Sequence, residues 1–324
     1  MSVSELLGGD LLGELAGVER LIGGISQEVD VPLLGQLLEH ILQAKGKRLR
    51  PRLAFMAARF GHYPVERLTL LGSAVELLHT ASLIHDDLVD NADTRRGVAT
   101  LHRIASPKAS VLVGDYLFAK SAAFATATNS LPVMALFART LMAICDGELR
   151  EMSNADLDDR TLEQYYRRLE GKTASLFVAA TEGGAILSEI GPEGELALRE
   201  YGLNLGMAFQ IADDILDFVG TEDELGKPVG GDLRQGTLTL PALWALERLP
   251  DGAILRRFVE SDEPTDEQVS AAVRYVAESP AIAFAQGEAE AFAARARQAL
   301  APLPDGPARR SLELMTDYAV QRRH

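Results

Sequence analysis

Two acidic clusters inside apolar, helix-like sequence constrain this chain more than any other feature. Each cluster places three aspartates at positions i, i+1 and i+4, and the six residues are Asp86, Asp87, Asp90, Asp213, Asp214 and Asp217. On an α-helix, the first and last aspartates of a cluster lie one turn apart on the same face. Buried carboxylates this close together need a positive partner. The two clusters, more than a hundred residues apart, therefore predict one cavity that holds divalent cations.

The residues around the clusters favour a metal site over a solvated acidic face. On a helical wheel His79, Leu83, Asp86 and Asp90 share one stripe, and aliphatic residues surround the acids on nearly all sides. In the second cluster, Gln210 projects within about 60° of all three aspartates. A calcium loop of the EF-hand kind is absent. Mg²⁺ fits better, because it takes one or two carboxylates and completes its coordination with water and phosphate oxygens.

Basic groups near the clusters predict binding of phosphate-bearing ligands. They are Lys47 and Arg50 in the segment GKRLRP, Arg95 and Arg96 after the first cluster, Lys172 before Thr173, and Lys227 in a glycine-rich segment. Each one alone is typical of an exposed surface charge. Together with two metal-binding clusters they indicate a site for two strongly anionic ligands. One set of phosphates would bind through metal and the other through Arg, Lys and His.

Composition and missing motifs narrow the choice of function. The net charge of −15 argues against a nucleic-acid partner. The single cysteine, Cys145, indicates a reducing cytoplasm, and we interpret it as a small buried hydrophobe. The uncharged stretch 121–138 is interrupted around Asn129, so no integral membrane segment is expected. Walker loops, dinucleotide fingerprints, serine elbows and zinc spacings are all missing, which favours chemistry in which diphosphate departs.

Helical periodicity predicts an all-α fold with a single domain, residues 1–324. The expected helices cover about 4–28, 32–45, 51–61, 65–91, 107–128, 131–156, 161–170, 173–190, 193–219, 236–249, 252–261, 265–278, 280–299 and 307–321. Expected helix caps are Ser106, Asp159 ahead of Thr161, and Thr265 paired with Gln268. The polar, glycine-rich segment 226–236 is expected to be a functional flap rather than a domain boundary.

The sequence resembles the trans-isoprenyl diphosphate synthase (polyprenyl synthetase) family over nearly its whole length. The similar segments run from GKRLRP at 46–51 to the terminal YAVQRRH and include GKTASLF, FQIADDILDF and GKPVGGDL. Both aspartate motifs appear complete and in the family's order. The resemblance implies an all-α helical bundle around a deep central cavity, usually as a homodimer.

The resemblance also assigns roles to residues of this chain. The six aspartates would hold Mg²⁺, two or three ions per site, against the allylic diphosphate. That substrate would also contact Arg95, Lys172, Thr173, Gln210 and Lys227, and Lys172 would be catalytic. Lys47, Arg50, His79 and Arg96 would hold isopentenyl diphosphate. The implied reaction ionises the allylic C–O bond, the isopentenyl double bond attacks the carbocation head to tail, and a proton is lost.

Product length is predicted from two small residues. In the family, aromatic residues four and five positions before the first aspartate close the cavity and give short products. Here those positions hold Ser82 and Ala81. The resemblance therefore implies a long-chain type of enzyme, with products of about C30 to C50 for quinone side chains. A short-chain farnesyl or geranylgeranyl diphosphate synthase is the alternative.

Other classes remain open at this stage. A terpene cyclase would carry a different second metal motif, and a squalene- or phytoene-type synthase has differently spaced aspartates. A non-catalytic subunit of a heteromeric synthase characteristically loses an aspartate cluster, and this chain keeps both. An acidic helical interaction protein would leave the flanking cations unexplained.

Overall fold

The computed structural model describes residues 11–43, 46–95, 97–153, 161–220, 229–249, 253–259, 261 and 265–321. Helices dominate these residues. In chain order they are α1 (Leu12–Gly24), α2 (Pro32–Leu42), α3 (Leu49–Ala58), α4 (Val65–Val89), α5 (Leu101–Ile104), α6 (Pro107–Ala127), α7 (Leu131–Ser153), α8 (Leu162–Leu169), α9 (Ser175–Ser188), α10 (Pro192–Val219), α11 (Gly231–Arg234), α12 (Leu240–Arg248), α13 (Ala253–Val259), α14 (Asp266–Ala277), α15 (Ala281–Ala299) and α16 (Pro307–Gln321). A 3₁₀ turn (Ile25–Gln27) follows α1, and a π-helical turn (Glu170–Ala174) joins α8 to α9. Strands β1 (Thr94–Arg95) and β2 (Val98–Ala99) form an antiparallel hairpin.

The Cα atoms of the chain fall into two compact units, each defined by the contacts within it. Unit 1 comprises residues 1–142, 176–202 and 298–315, and unit 2 comprises residues 143–175, 203–297 and 316–324. The first aspartate cluster belongs to unit 1 and the second to unit 2.

Helix α4 is the core helix of unit 1 and carries the first aspartate cluster at its end. It is apolar on nearly all sides, as expected for a helix without a solvated face, and it packs against α1, α3 and α6. Among the described residues it is the one helix long and apolar enough to cross a membrane. Because 67% of its most apolar window is buried inside the protein, it is accounted for as a core helix.

Unit 2 has an apolar core of its own. Leu169 of α8, Ile211 of α10, Leu243 of α12 and Val276 of α14 are all buried in it. Helix α10 carries the second aspartate cluster, and it also contributes to this core Met207, Ile211, Ile215 and Phe218. The burial that stabilises the helix therefore also determines how much water reaches those carboxylates.

The all-α prediction is confirmed, and every predicted helix has a counterpart. The described ends lie within about four residues of the predicted ones, except at the start of the first predicted helix, whose residues 4–10 lie outside the described residues. Ser106 caps α6 by accepting a hydrogen bond from Ala109 N, and Thr265 with Gln268 forms the expected capping box of α14. Asp159 lies outside the described residues, and Thr161 itself caps α8. The sequence did not predict the hairpin, the π-helical turn, the short helix α5 or the short helix α11, which lies inside the expected flap.

Candidate active site

In the first aspartate cluster, Asp86 and Asp87 lie in the last turn of α4 in unit 1, and Asp90 caps the end of that helix. Asp86 is partly exposed, Asp90 is exposed, and Asp87 is buried with 5% of its surface accessible. Arg95 Nε donates a hydrogen bond to Asp87 Oδ1 over 2.6 Å. Burial raises the pKa of Asp87 above its usual value, although the Arg95 guanidinium lowers it. The predicted neighbours Asp87 and Arg95 are thus brought into direct contact.

The hairpin explains how Arg95 returns to α4. Asn91 adopts a left-handed conformation (φ 51°) that ends the helix. The buried Thr100 hydroxyl then donates to Ala92 O over 2.7 Å, and His40 Nε2 lies 2.9 Å from Ala99 O. The first contact closes the base of the hairpin, and the second ties β2 to α2. Arg96, predicted to bind isopentenyl diphosphate, lies outside the described residues.

A cleft in unit 1 brings together three of the predicted site residues. It encloses about 740 Å³ of empty space, part of it open to solvent, and His79, Asp87 and Arg95 all line it. Leu83 and Ile84 contribute apolar wall. The cleft can therefore accept a ligand that is anionic at one end and apolar at the other.

The cationic segment before α3 is held by a residue that the sequence reasoning passed over. Arg48 has a left-handed backbone (φ 50°) and donates from Nη1 to Glu76 Oε1 over 3.0 Å and from Nε to Glu19 Oε1 over 2.7 Å. Its neighbour Lys47 is exposed and Arg50 is half-buried. The Arg50 guanidinium stacks 5.1 Å from the Phe177 ring. The sequence alone does not distinguish Arg48 from Lys47 and Arg50.

The two residues predicted to set product length are both buried in α4. Ala81 has no accessible surface and Ser82 has 8%. The Ser82 hydroxyl donates to His79 O over 2.9 Å. A larger side chain at either position would have to displace neighbouring atoms.

The second aspartate cluster, on α10 in unit 2, has one partly exposed member and two buried ones. Asp213 is partly exposed, whereas Asp214 and Asp217 each have 3% of their surface accessible. Asp214 accepts hydrogen bonds from the Tyr165 hydroxyl at 2.6 Å and from Gln210 Nε2 at 2.9 Å. Burial, followed by the nearby charge of Asp232, raises the pKa of Asp214 to about 8.

Asp217 holds the start of α11. Its two carboxylate oxygens accept from the backbone N–H groups of Gly231 (3.2 Å) and Asp232 (3.0 Å). Gly230 makes this possible, because its φ of 78° and its close approach to Val273 leave no room for a β-carbon. Lys227, in the same predicted flap, lies outside the described residues.

The predicted pair Lys172 and Thr173 lies in the π-helical turn of unit 2. The Lys172 ammonium contacts Glu148 Oε1 at 2.8 Å and Glu151 Oε2 at 2.7 Å. The Thr173 hydroxyl donates to Gln210 Oε1 over 3.0 Å. Thr173, Gln210 and Asp214 are thus linked as predicted neighbours, while Glu148 and Glu151 were not anticipated.

Within the described ranges, no group of three His, Cys, Asp or Glu side chains is arranged to hold a metal ion. In each cluster the most buried carboxylates instead accept hydrogen bonds from protein donors. The roles that the sequence analysis gave to the individual aspartates and cations therefore stay predictions.

Comparison with known proteins identifies the class of molecule that this fold and these sites define. A crystal structure of a polyprenyl synthase from Caulobacter crescentus, complexed with calcium and isoprenyl diphosphate, has a TM-score of 0.93 and 38% sequence identity, covering 99% of this chain and 98% of that one. The chain is a prenyltransferase with the isoprenoid synthase fold.

The family is equally clear. The Polyprenyl synthetase model matches residues 31–276, and the chain belongs to that family. Octaprenyl diphosphate synthase of Escherichia coli is 36% identical over 328 residues, covering 99% of this chain and 98% of the relative. Heptaprenyl diphosphate synthase component 2 of Bacillus subtilis is 36% identical over 294 residues, covering 91% and 84%. The predicted family resemblance and prenyltransferase activity are confirmed.

Proposed function

We propose that the chain is a Mg²⁺-dependent trans-polyprenyl diphosphate synthase that joins isopentenyl diphosphate head to tail to an allylic diphosphate. The observation that carries the proposal is the Arg95–Asp87 ion pair, which lines one cleft together with His79. A carboxylate and an imidazole on an apolar helix, with a guanidinium from the hairpin that follows it, suit a diphosphate bound next to a hydrocarbon chain.

The donor set fits Mg²⁺, a hard cation that prefers carboxylate oxygens. The six aspartates are the proposed ligands, and Asp86, Asp90 and Asp213 keep accessible surface through which an ion could be reached. Asp87, Asp214 and Asp217 are buried, and their carboxylates could bind metal through the lone pairs that their protein donors leave free. When bound, Mg²⁺ would supply positive charge for the departing diphosphate.

The chain's own residues would do the remaining work. Arg95, Lys172, Thr173 and Gln210 would orient the allylic diphosphate, and Lys227 would add a further cation. Lys47, Arg50, His79 and Arg96 would hold isopentenyl diphosphate so that its double bond faces the allylic carbon. Apolar walls such as Leu83 would keep water from the carbocation. No protein general base is evident among the described site residues, so the released diphosphate would accept the proton.

A long product, about C30 to C50 and suited to quinone side chains, is the proposed outcome. Two relatives support it, since they are named octaprenyl and heptaprenyl diphosphate synthases. By the family resemblance, the small residues Ala81 and Ser82 also imply a long product. A short-chain synthase would yield farnesyl or geranylgeranyl diphosphate in the same assay.

The test is incorporation of labelled isopentenyl diphosphate into farnesyl diphosphate by the purified chain, with Mg²⁺ or with a chelator. We expect Mg²⁺-dependent products of about C30 to C50 after dephosphorylation and chromatography. Products no longer than geranylgeranyl diphosphate would favour the short-chain alternative. Activity that is unchanged by the chelator would contradict the metal proposal.

One observation favours a second candidate, an enzyme that works only with a partner. The Bacillus subtilis relative is named component 2 of its synthase. If this chain had the same requirement, it would incorporate no label alone and would do so after a second subunit was added. Incorporation by the chain alone excludes this candidate.

We also propose one synthase domain, residues 1–324, that forms a homodimer in the cytoplasm. The segments of units 1 and 2 alternate along the sequence, so no single cut separates them. On α7, Leu131, Ala135, Ala138 and Met142 are exposed at alternating spacings of four and three residues. Such a seam suits a second helix. Sedimentation should give a dimer for the wild type and a weaker one for Met142→Glu.

A further inference from the structure

Lys172 and Thr173 lie in a π-helical turn, which needs tertiary contacts to keep its geometry. The π-helical turn Glu170–Ala174 contains an extra residue relative to an α-helical turn, a geometry that occurs in single turns at functional sites. Its backbone packs tightly against α7, because a β-carbon on Gly171 would lie 2.6 Å from Ala143 O. This contact places the turn, but other groups must orient its two polar side chains.

On one side of the turn, Glu151 of α7 links Lys172 to Arg168 of α8. Glu151 Oε2 contacts Lys172 Nζ at 2.7 Å, and Glu151 Oε1 lies 3.4 Å from Arg168 Nη1. Burial alone would raise the pKa of Glu151, but Lys172 and Arg168 together lower it. An ionised Glu151 is therefore shared between the two cations. Arg168 is buried, and its Nη2 also donates to Leu238 O over 3.4 Å.

On the other side of the turn, Asp214 and Gln210 of α10 link Thr173 to Tyr165 of α8. The Tyr165 hydroxyl donates to Asp214 Oδ2 over 2.6 Å, and Gln210 Nε2 donates to Asp214 Oδ1 over 2.9 Å. Gln210 Oε1 then accepts from the Thr173 hydroxyl over 3.0 Å. These bonds fix the orientation of the Gln210 amide, because its nitrogen donates to Asp214 and its oxygen accepts from Thr173.

The two chains of contacts meet on one face of α8. Tyr165 and Arg168 are three residues apart and therefore adjacent on the helix surface. The Arg168 guanidinium lies 5.6 Å from the centre of the Tyr165 ring, within the range of a cation–π contact. The contacts run from Lys172 through Glu151, Arg168, Tyr165, Asp214 and Gln210 to Thr173. Because Lys172 and Thr173 are adjacent in the sequence, these groups form a closed ring.

We propose that Tyr165 and Arg168 are positioning residues for the allylic diphosphate. They hold Lys172 and Thr173 in the geometry that binds phosphate, without contacting the substrate themselves. The inference rests on the proposed function, since it takes Lys172 and Thr173 as diphosphate-binding residues. Nothing in the pattern of the sequence separates Tyr165 from an ordinary core tyrosine.

Removing one hydroxyl is the sharpest perturbation of this ring. Tyr165→Phe keeps the aromatic ring, and with it the packing and the stacking against Arg168. It leaves the buried Asp214 Oδ2 without its described donor, which is costly for a buried polar group. Asp214 and Gln210 would reorient to recover a bond, and Thr173 would lose its fixed acceptor.

Tyr166 supplies a matched control on the same helix. Its hydroxyl donates to Glu288 Oε2 over 2.8 Å and takes no part in the ring. For Tyr165→Phe we expect the KM for the allylic diphosphate to rise about tenfold, the equivalent of one buried hydrogen bond, with the KM for isopentenyl diphosphate unchanged. Tyr166→Phe should leave both constants unchanged. Arg168→Lys, which keeps the charge but loses the planar fork, should act as Tyr165→Phe does.

The contrary results are equally specific. The proposal is overturned if Tyr165→Phe and Arg168→Lys both leave the KM for the allylic diphosphate unchanged. It is also overturned if Tyr165→Phe and Tyr166→Phe raise the KM for the allylic diphosphate and the KM for isopentenyl diphosphate by the same factor. If Tyr165→Phe fails to fold, Arg168→Lys decides by the same criteria.

Binding of inorganic diphosphate, measured by calorimetry, separates this inference from the proposed function. If the wild type does not condense substrates, the proposed function fails. Affinity about tenfold weaker in Tyr165→Phe than in Tyr166→Phe still supports the positioning role. Equal affinities, or no binding by the wild type, overturn it.

Discussion

Nη1 of Arg48 lies 3.0 Å from Oε1 of Glu76, and both side chains are at most 10% exposed. Burial alone would lower the pKa of Arg48, yet Glu19 and Glu76 raise it above its usual value. The guanidinium is therefore charged, and it pairs with Glu76 of α4 and with Glu19 of α1. Glu76 precedes His79 by one turn of α4, so this pair ties the Lys47–Arg50 segment to the helix that carries His79.

Glu76→Gln should destabilise unit 1 more than Glu19→Gln does. Removing one partner of a fully buried ion pair costs about 3–5 kcal/mol, and we expect a smaller loss for Glu76→Gln because Glu19 still pairs with the Arg48 guanidinium. Glu19 is 46% exposed, and an exposed pair contributes at most about 1 kcal/mol. Urea unfolding of both variants measures the difference. Equal losses would show that Glu76 contributes no more than a surface carboxylate.

Asp86→Asn and Asp213→Asn should abolish condensation while the fold stays intact. Losing one metal carboxylate should cost about 10²–10⁴ in rate through weaker transition-state stabilisation. Asp146→Asn is the control, because Asp146 is exposed and pairs with Arg150 one turn away. Circular dichroism checks the fold and product assays check the rate. Near-normal turnover in both cluster variants would contradict their role as metal ligands.

The sequence predicted those parts of the fold that depend on local pattern. The capping box of Thr265 and Gln268 is visible as two residue types at a fixed spacing, and α14 begins there as expected. The apolar surroundings of the first aspartates likewise placed them on a buried helix, α4. Such features need no knowledge of what packs against them.

Features set by tertiary packing were not predictable in the same way. The π-helical turn depends on how closely Gly171 approaches α7, and Tyr165 gains its role only because Asp214 faces it. Cys145 shows the limit most directly. Free cysteines are usually small buried hydrophobes, and that tendency led to the prediction of a buried residue, which was wrong, because Cys145 is exposed.

Ala81→Tyr should shorten the product. Ala81 has no accessible surface, so a tyrosine ring must enter space now taken by neighbouring atoms or by the growing chain. Overpacking of this kind costs about 1–3 kcal/mol in stability, which thermal unfolding would register separately. Chromatography of the dephosphorylated products gives the length distribution. An unchanged distribution in a folded variant would exclude Ala81 from the cavity floor.

Asp214 should make the metal-free protein less stable as pH rises. Burial and then Asp232 raise its pKa in the folded state from 3.8 to about 8, although the hydrogen bonds from Tyr165 and Gln210 lower it. Between these values the unfolded chain is ionised while the folded protein keeps the proton. The folded state then binds more protons, so its stability falls by up to about 1.4 kcal/mol per pH unit and levels off above the folded pKa.

Asp214→Asn should remove this decline, since an amide has no proton to lose in that range. We therefore expect the free energy of unfolding of the wild type, measured by urea titration in a chelator, to fall relative to that of Asp214→Asn from about pH 5 to about pH 8. Asp146→Asn should instead run parallel to the wild type. Parallel curves for wild type and Asp214→Asn would mean that the Asp214 carboxyl titrates alike in the folded and unfolded chains, and that water reaches it despite its burial in α10.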